Sequence, residues 1–159
     1  MVKVSVVVTV FNEEKTIKEL IVSLQNQTKK PDEIIVVDGG STDNTWNILS
    51  KLTPPLKLRG GRPARNAFSI ADAGGGVILN RSEGRNIGVS IAKGEIIVFT
   101  DAGCVPEKNW LEELTKVKAD VIAGYYRGLP QNIFEKCLIP YVLVMPDRVG
   151  SEFLPSTRS

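Results

Sequence analysis

Three polar positions come directly after the three most β-branched segments of the chain. They are the turn from Thr9 to Glu13 after residues 2–10, Asp38 after residues 34–37, and Asp101 after residues 95–100. If these segments are parallel strands, the three positions share one edge of a sheet, where open α/β sheets bind ligands. The alternative is that Asp38, Asn12 and Glu13 only form turns or cap helices.

Asp101 is the position best suited to a metal ligand. The residues after it, Ala102-Gly103-Cys104, are small, and the next helix is expected to begin only near Pro106. A carboxylate that caps no helix can hold a hard cation such as Mg²⁺, which binds through one or two carboxylates plus substrate phosphates. Cys104 is a soft ligand, and we expect it to be a small buried residue instead.

The composition excludes several classes of function. The chain of 159 residues has no histidine, which removes Ser-His-Asp and Cys-His catalysis, HExxH metalloproteases and His-ligated zinc. Neither a GxGxxG loop nor a GxxxxGK[ST] loop occurs. The net charge of +2 argues against a nucleic-acid partner, because such binders cluster Lys and Arg against many phosphates.

Strand-like and helix-like segments alternate along most of the chain. The apolar patterns predict strands over residues 2–10, 34–37, 95–100 and 121–123. They predict helices that begin at Asn12, at Ser41 or Asp43, at Ser82 (ending at Gly94) and near Pro106. This β-α-β-α, α-β-α-β order predicts an α/β fold with a mostly parallel sheet and helices on both faces.

Two regions fit this pattern less well. In residues 53–81 we expect a long loop with a short helix over 63–73 and an edge strand over 77–79. The apolar segment 133–145 is interrupted by Pro140. A basic stretch in the first region is expected to be a solvated loop, with phosphate or lipid headgroup contact as the alternative; it comprises Lys57, Arg59, Arg62 and Arg65.

The cysteines and the apolar segments bear on the compartment. Cys104 and Cys137 lack CxxC spacing, which favours two thiols in a reducing, cytoplasmic setting. The longest apolar segments, 4–11 and 138–145, are far shorter than the ~20 residues that span a bilayer. We therefore expect a cytoplasmic protein without a leader, in contact at most with the inner face of the membrane.

Three segments together resemble the nucleotide-binding half of family 2 glycosyltransferases, which adopt the Rossmann-like GT-A fold. They are VSVVVTVFNEEKTIKELIVSLQNQT, DEIIVVDGGSTDNTW and SEGRNIGVSIAKGEIIVFTDAGCVPEKNWLEEL. The match covers most of residues 2–52 and 80–124. It implies transfer of a sugar from a nucleotide diphospho-sugar to the hydroxyl of a saccharide or lipid-linked acceptor, with inversion at the anomeric carbon.

The resemblance also implies roles for individual residues. In the family, positions matching Thr9, Phe11 and Glu13 contact the nucleoside, and the intervening Asn12 is included in this binding turn. Asp38 matches the acidic residue that holds base and ribose, while Gly39 replaces its usual acidic neighbour. Two further positions, Arg85 and Asn86, match a pair that helps to hold the donor; the alternative is a solvated helix face.

The family's DxD motif, which binds a divalent cation to the diphosphate, corresponds here to Asp101-Ala102-Gly103. Only the first carboxylate is present. The resemblance thus implies a Mg²⁺ or Mn²⁺ ion with Asp101 as its ligand. Stabilising the negative charge that develops on the leaving diphosphate is the task of such an ion.

The catalytic base is not identified in the sequence. We expect one domain over residues 1–159, with a well-matched core over 1–128, the start of an acceptor-side region over 129–159, and a C-terminal part that is incomplete. The base is then expected beyond Ser159; the substitutes within the chain are Glu135, Asp147 and Glu152. The alternative function is a non-catalytic or truncated nucleotide-sugar-binding module.

Overall fold

A computed structural model of the chain describes residues 2–52, 67–72, 80–124, 127–128, 130 and 132–142. Helices and strands alternate along it. In chain order they are β1 (Val4–Val10), α1 (Ile17–Gln25), β2 (Glu33–Asp38), α2 (Thr45–Leu52), β3 (Ala67–Asp72), α3 (Arg81–Ile91), β4 (Ile96–Asp101), α4 (Trp110–Lys116) and α5 (Ile133–Val142). The chain divides into two compact units, residues 1–113 and 114–159, and α4 crosses the boundary between them.

The first unit contains a sheet of four strands in the order β3-β2-β1-β4, and every described pair is parallel. All of β2 and nearly all of β1 is buried, as expected for β-branched strands covered on both faces. The chain adds β2 and β3 on one side of β1 and then places β4 on the other side. In α/β sheets, the carboxyl ends of the strands at such a reversal, here β1 and β4, are the usual place for a ligand.

Helix α3 covers one face of the sheet at very close range. Its Ile87 packs on a buried cluster of Val7, Ile35 and Val37. A Cβ atom at Gly88 would lie 2.3 Å from Val7 Cγ1, and one at Gly84 would lie 2.9 Å from Thr9 Cγ2. Two glycines one turn apart therefore let the helix backbone approach β1 more closely than any larger residue allows.

The other face carries Val6, Val8 and Val36, which are also fully buried. Right-handed crossovers place α1 and α2 on this face, because both connect strands on the same side of β1. The two helices contact each other. The buried side of α1 comprises Ile17, Leu20, Ile21 and Leu24, the residues whose helical spacing predicted it.

Buried polar side chains join the elements of the first unit. At the amino end of the sheet, the buried Glu33 carboxylate accepts hydrogen bonds from the Ser5 hydroxyl and the Lys93 N–H. Behind α1, the buried Gln27 side chain donates to the Glu107 carbonyl at 2.8 Å and accepts from the Leu111 N–H at 3.0 Å. Because each buried group has a partner, these contacts fix the chain at low energetic cost.

The second unit contains α5, which begins with a side-chain cap. The Asn132 Oδ1 atom accepts from the Glu135 N–H at 2.9 Å, and its Nδ2 donates to the Glu135 carboxylate at 2.8 Å. Pro140 lies within this helix rather than ending it. No helix in the described ranges combines the length and the apolar character needed to cross a membrane.

The α/β fold and its parallel sheet confirm the main prediction from the sequence, but several elements differ. Residues 121–124 are not a strand, and α4 begins at Trp110 rather than near Pro106. Residues 67–72, expected in a helix over 63–73, form the edge strand β3. The alternation in Ala67-Phe68-Ser69-Ile70 suits a strand. The expected strand 77–79 and the basic stretch at 57–65 lie outside the described residues.

Candidate functional site

The three predicted positions lie at one edge of the sheet. Thr9 of β1 is the register partner of Asp101 of β4, and Val10 is the partner of Asp38 of β2. Since successive side chains of a strand alternate between faces, Thr9 and Asp101 lie on the α3 face and Asp38 on the opposite face. A ligand that contacts both aspartates must therefore cross the end of β1.

Four residues, Asn12, Asp38, Ser41 and Thr42, join the loops after β1 and β2, and we call them the loop cluster. The Asn12 N–H donates to Ser41 Oγ at 2.9 Å, and the Ser41 hydroxyl donates to Asp38 Oδ1 at 2.7 Å. The Ser41 N–H also donates to Asp38 Oδ1 at 3.0 Å, and the Thr42 N–H donates to Asn12 Oδ1 at 2.8 Å. In the described part of the chain, both hydrogen bonds to the Asp38 carboxylate end on Oδ1.

The backbone of Asn12 makes this arrangement possible. Its φ of 55° lies in the left-handed region, which Asn tolerates better than most residues. Asn12 was predicted to cap α1, and this prediction is wrong: the helix begins at Ile17 after Thr16. Its side chain instead accepts from Thr42, so it fixes one loop to the other.

A second set of contacts holds the same two loops together. Asp43 accepts from the Thr45 N–H at 3.0 Å and the Glu14 N–H at 3.1 Å, and the Glu13 N–H donates to Thr45 Oγ1 at 2.8 Å. Burial tends to raise the pKa of Asp43, but hydrogen bonds from the side chain and backbone of Thr45 and from the Glu14 backbone outweigh it. The pKa therefore lies below its ordinary value of 3.8.

On the α3 face, Arg85 and Asp101 form an ion pair. The guanidinium Nη2 donates to Asp101 Oδ1 at 2.9 Å, and the two side chains are 37% and 29% exposed. Arg85 follows Gly84, whose close approach to Thr9 sets the start of α3 against the end of β1. The pair is thus positioned by helix packing, and water and small ligands reach it.

The remaining predicted residues lie outside the loop cluster and the ion pair. Thr9 turns its methyl group towards Gly84, and the Glu13 carboxylate accepts from the Thr16 hydroxyl at 2.6 Å. Phe11 is 46% exposed beyond the end of β1. Asn86 is exposed on α3, and no hydrogen bond among the described residues joins it to Asp38 or Asp101.

Sequence reasoning did not identify Ser41 and Thr42 as parts of the site, and it missed the position of Asp72. Asp72 ends β3 and is the register partner of Asp38. The spacing of polar residues after each strand was the available signal, but the expected helix over 63–73 concealed the third strand. Three of the four strands of the described sheet, β2, β3 and β4, therefore end in aspartate.

Comparison with known proteins identifies the family. Residues 5–70 match the model of glycosyl transferase family 2. Glycosyltransferase GlyG of Streptococcus pneumoniae serotype 4 is 32% identical over 138 residues, which cover 81% of this chain and 40% of GlyG. The chain belongs to glycosyl transferase family 2. It spans less than half the length of this relative.

Solved structures similar to this family member share its fold. Residues 1–349 of Staphylococcus aureus TarS in complex with UDP superpose with a TM-score of 0.57 at 28% identity, over 83% of this chain and 39% of that TarS fragment. The mannosyltransferase PcManGT of Pyrobaculum calidifontis, in complex with GDP-Man and Mn²⁺, gives 0.62 at 26% identity, over 77% of this chain and 34% of PcManGT. The fold of the chain is therefore GT-A, as predicted.

The site offers a divalent cation one carboxylate rather than a complete set of ligands. No group of three Cys, Asp or Glu side chains in the described residues is arranged to hold an ion. The resemblance described above matches Gly103 to the second carboxylate of the DxD motif, and a Cβ there would meet no atom within 4 Å. Asp101 fits a cation whose other ligands are diphosphate oxygens and water, an arrangement common for Mg²⁺.

Proposed function

We propose that the chain carries the donor site of an inverting glycosyltransferase that moves a sugar from a nucleotide diphospho-sugar to an acceptor hydroxyl. The observation that carries the proposal is the placement of the loop cluster and the Arg85–Asp101 pair at one sheet edge, where the strand order reverses at β1 and β4. Family membership supports it, as do the UDP and GDP-Man in the TarS and PcManGT structures.

The loop cluster would hold the nucleoside. Asp38 presents Oδ2 from a carboxylate whose other oxygen is fixed by two hydrogen bonds, so it can accept from the base or ribose without reorganising. Phe11 exposes an aromatic ring after β1, on which a base can stack. With Gly39 in place of a second acid, selection between uracil and guanine rests on fewer side chains, so both nucleotides belong in the test.

The ion pair would hold the diphosphate. Arg85 supplies a planar donor fork that matches phosphate oxygens, and Asp101 is the residue that would bind Mg²⁺ or Mn²⁺. Such an ion, when bound, stabilises the negative charge that develops on the leaving nucleoside diphosphate. Direct displacement by the acceptor hydroxyl inverts the anomeric carbon and requires a base, which in a chain without histidine is a carboxylate.

The base and the acceptor stay predictions. Of the three substitutes considered, Glu135 caps α5 through Asn132, and Asp147 and Glu152 lie outside the described residues. A base beyond Ser159, a saccharide or lipid-linked acceptor, and a cytoplasmic location with contact at the inner membrane face remain part of the proposal. The same holds for the single domain over 1–159 with its acceptor-side region at 129–159.

Calorimetric titration of UDP and GDP, with Mn²⁺ and with EDTA, tests the donor site. We expect one nucleotide to bind at least about fivefold more tightly with Mn²⁺, the lower end of usual coupling between two ligands. Asp101→Asn should abolish this difference. Glu19→Gln removes an exposed carboxylate on α1 and should preserve it. Failure of both nucleotides to bind would overturn the proposal.

A non-catalytic nucleotide-sugar-binding module is the second candidate, and the Gly at position 103 favours it. A single carboxylate holds a cation less tightly than two, and the cation is what would stabilise the leaving diphosphate. Turnover separates the two functions: hydrolysis of a UDP- or GDP-sugar by the 159-residue chain supports the enzyme. Tight donor binding without turnover in the presence of added saccharides supports the binding module.

A further inference from the structure

The Arg85–Asp101 pair joins two groups to which the proposed function assigns different ligands. Arg85 is assigned to the diphosphate and Asp101 to the cation, yet in the structure they neutralise each other at 2.9 Å. A carboxylate engaged by a guanidinium attracts a cation less, and an arginine engaged by a carboxylate attracts phosphate less. A cation or a diphosphate that binds alone therefore meets a side chain that already has a partner of opposite charge.

We propose that Arg85 is an internal counter-ion of Asp101 that makes cation and nucleoside diphosphate bind as a pair. When both ligands arrive, Asp101 exchanges the guanidinium for the cation, and Arg85 exchanges the carboxylate for phosphate oxygens. No charge is left unpaired after the exchange, whereas binding of either ligand alone leaves one protein group without its partner. The inference rests on the proposed function, since it concerns the same site.

Three features of the structure favour exchange over a permanent ion pair. Both side chains are about one third exposed, so the pair is partly screened and its loss is cheap. A single Nη2–Oδ1 hydrogen bond joins them, rather than the two parallel bonds of a bidentate pair. The backbone beneath Arg85 is held by the glycine contacts of α3 with β1, so the guanidinium can change partner while the helix stays in place.

Because the second carboxylate is missing, the competition between Arg85 and a cation for Asp101 has a large effect on cation binding. Gly103 contributes no charge, so neutralisation of Asp101 by Arg85 removes the full negative charge that the DxD position offers a cation. Without a nucleotide, the cation has to displace an arginine from its one carboxylate. A bound diphosphate brings its own negative charges and gives the arginine another partner, which relieves the competition on both sides.

Binding of Mn²⁺ alone, measured by electron paramagnetic resonance without nucleotide, tests the proposal. Arg85→Gln is expected to bind Mn²⁺ about tenfold more tightly than the unmodified chain, with Asp101→Asn giving the background from other carboxylates. Arg81→Gln, an equal charge change one turn earlier on α3, is the matched control and should leave Mn²⁺ affinity unchanged. Equal Mn²⁺ affinity in Arg85→Gln and the unmodified chain overturns the proposal.

The coupling between the ligands is the second measurement. In the unmodified chain, saturating UDP or GDP should tighten Mn²⁺ binding about tenfold, and in Arg85→Gln this ratio should be smaller, because only direct contact between the ion and the diphosphate then couples the two ligands. Arg85→Lys keeps the charge and should keep Mn²⁺ binding weak; a gain equal to that of Arg85→Gln also overturns the proposal. If no nucleotide binds the unmodified chain, the donor site itself is wrong, a result distinct from unchanged Mn²⁺ binding in Arg85→Gln.

Discussion

The loop cluster and the Arg85–Asp101 pair lie at the same sheet edge but are built by opposite means. The loop cluster joins Asn12, Asp38, Ser41 and Thr42 largely through backbone N–H donors, and Asp38 is only 3% exposed. The ion pair joins two side chains through one hydrogen bond, with Asp101 29% exposed. One region is fixed by the chain itself, and the other can rearrange.

The difference matches the chemistry proposed for each region. A nucleoside is recognised by hydrogen bonds at fixed positions, and a preorganised carboxylate loses little entropy when it accepts one. A diphosphate and its cation carry charges that must be exchanged against charges of the protein. An exposed ion pair contributes only about 0–1 kcal/mol, so breaking it costs less than the new contacts return.

The largest change in Mn²⁺ affinity is expected from adding a carboxylate at Gly103, the position where the chain lacks one. Gly103→Asp introduces one at an exposed position where a Cβ meets open space. It should tighten binding of Mn²⁺ alone by on the order of tenfold, since two unit charges about 4 Å apart gain about 1 kcal/mol even in water and more near protein. Electron paramagnetic resonance of Mn²⁺ without nucleotide measures it.

Gly103→Asn is the matched control for this change, because it adds a side chain of the same size without the charge. It should leave Mn²⁺ affinity near that of the unmodified chain. Equal affinities in Gly103→Asp and Gly103→Asn would show that a carboxylate at this position does not face a cation. The electrostatic part of the contrast between the loop cluster and the ion pair would then fail.

A smaller effect is expected in the loop cluster. Ser41→Ala removes the hydroxyl that accepts from the Asn12 N–H and donates to Asp38 Oδ1, and leaves the Ser41 N–H bond in place. Loss of a net contribution of about 1 kcal/mol should lower the unfolding free energy by that amount and weaken nucleotide binding roughly fivefold. Urea unfolding and calorimetric titration of UDP and GDP measure the two effects.

Two other variants give this test its reference. Ser41→Thr keeps the hydroxyl and should retain most of the nucleotide affinity. Ser50→Ala removes an exposed hydroxyl on α2 that donates to the Asn47 carbonyl within the helix. If Ser41→Ala weakened nucleotide binding no more than Ser50→Ala, Ser41 would not position Asp38.

The same contrast explains how far the sequence alone could lead. Strands β1, β2 and β4, the helix at Ile17 to Leu24 and the shared edge of Thr9, Asp38 and Asp101 follow from β-branched runs and apolar spacing, which are local signals. The part played by Asn12 could not be predicted from such signals. Its residue type suits a helix cap as well as a left-handed turn, and only the position of Thr42 on another loop decides between them.

The ion pair was out of reach for a related reason. The sequence assigns Arg85 to the sugar donor and Asp101 to a metal ion, but their mutual contact depends on how closely α3 approaches β1. Gly84 and Gly88 allow that approach, but glycines in a helical segment do not by themselves indicate which element packs against them. Strand β3 was missed because its short alternating segment follows a stretch rich in Pro and Gly, which favoured a loop.

The smallest effect is expected from a fall in pH, which should destabilise the two loops that carry the loop cluster. The pKa of Asp43 is lower in the folded chain than its ordinary 3.8, so the unfolded chain takes up this proton first as the pH falls. The stability that Asp43 contributes is therefore complete above about pH 3.8 and is lost as the pH falls through the lower, folded pKa. Asp43→Asn should lower stability at neutral pH and make the unfolding free energy fall less steeply below about pH 4. Urea unfolding over this range measures both slopes, with Glu19→Gln as a control for loss of an exposed carboxylate on α1. A slope for Asp43→Asn equal to that of the unmodified chain would mean that its bonds to Thr45 and Glu14 do not hold the two loops together.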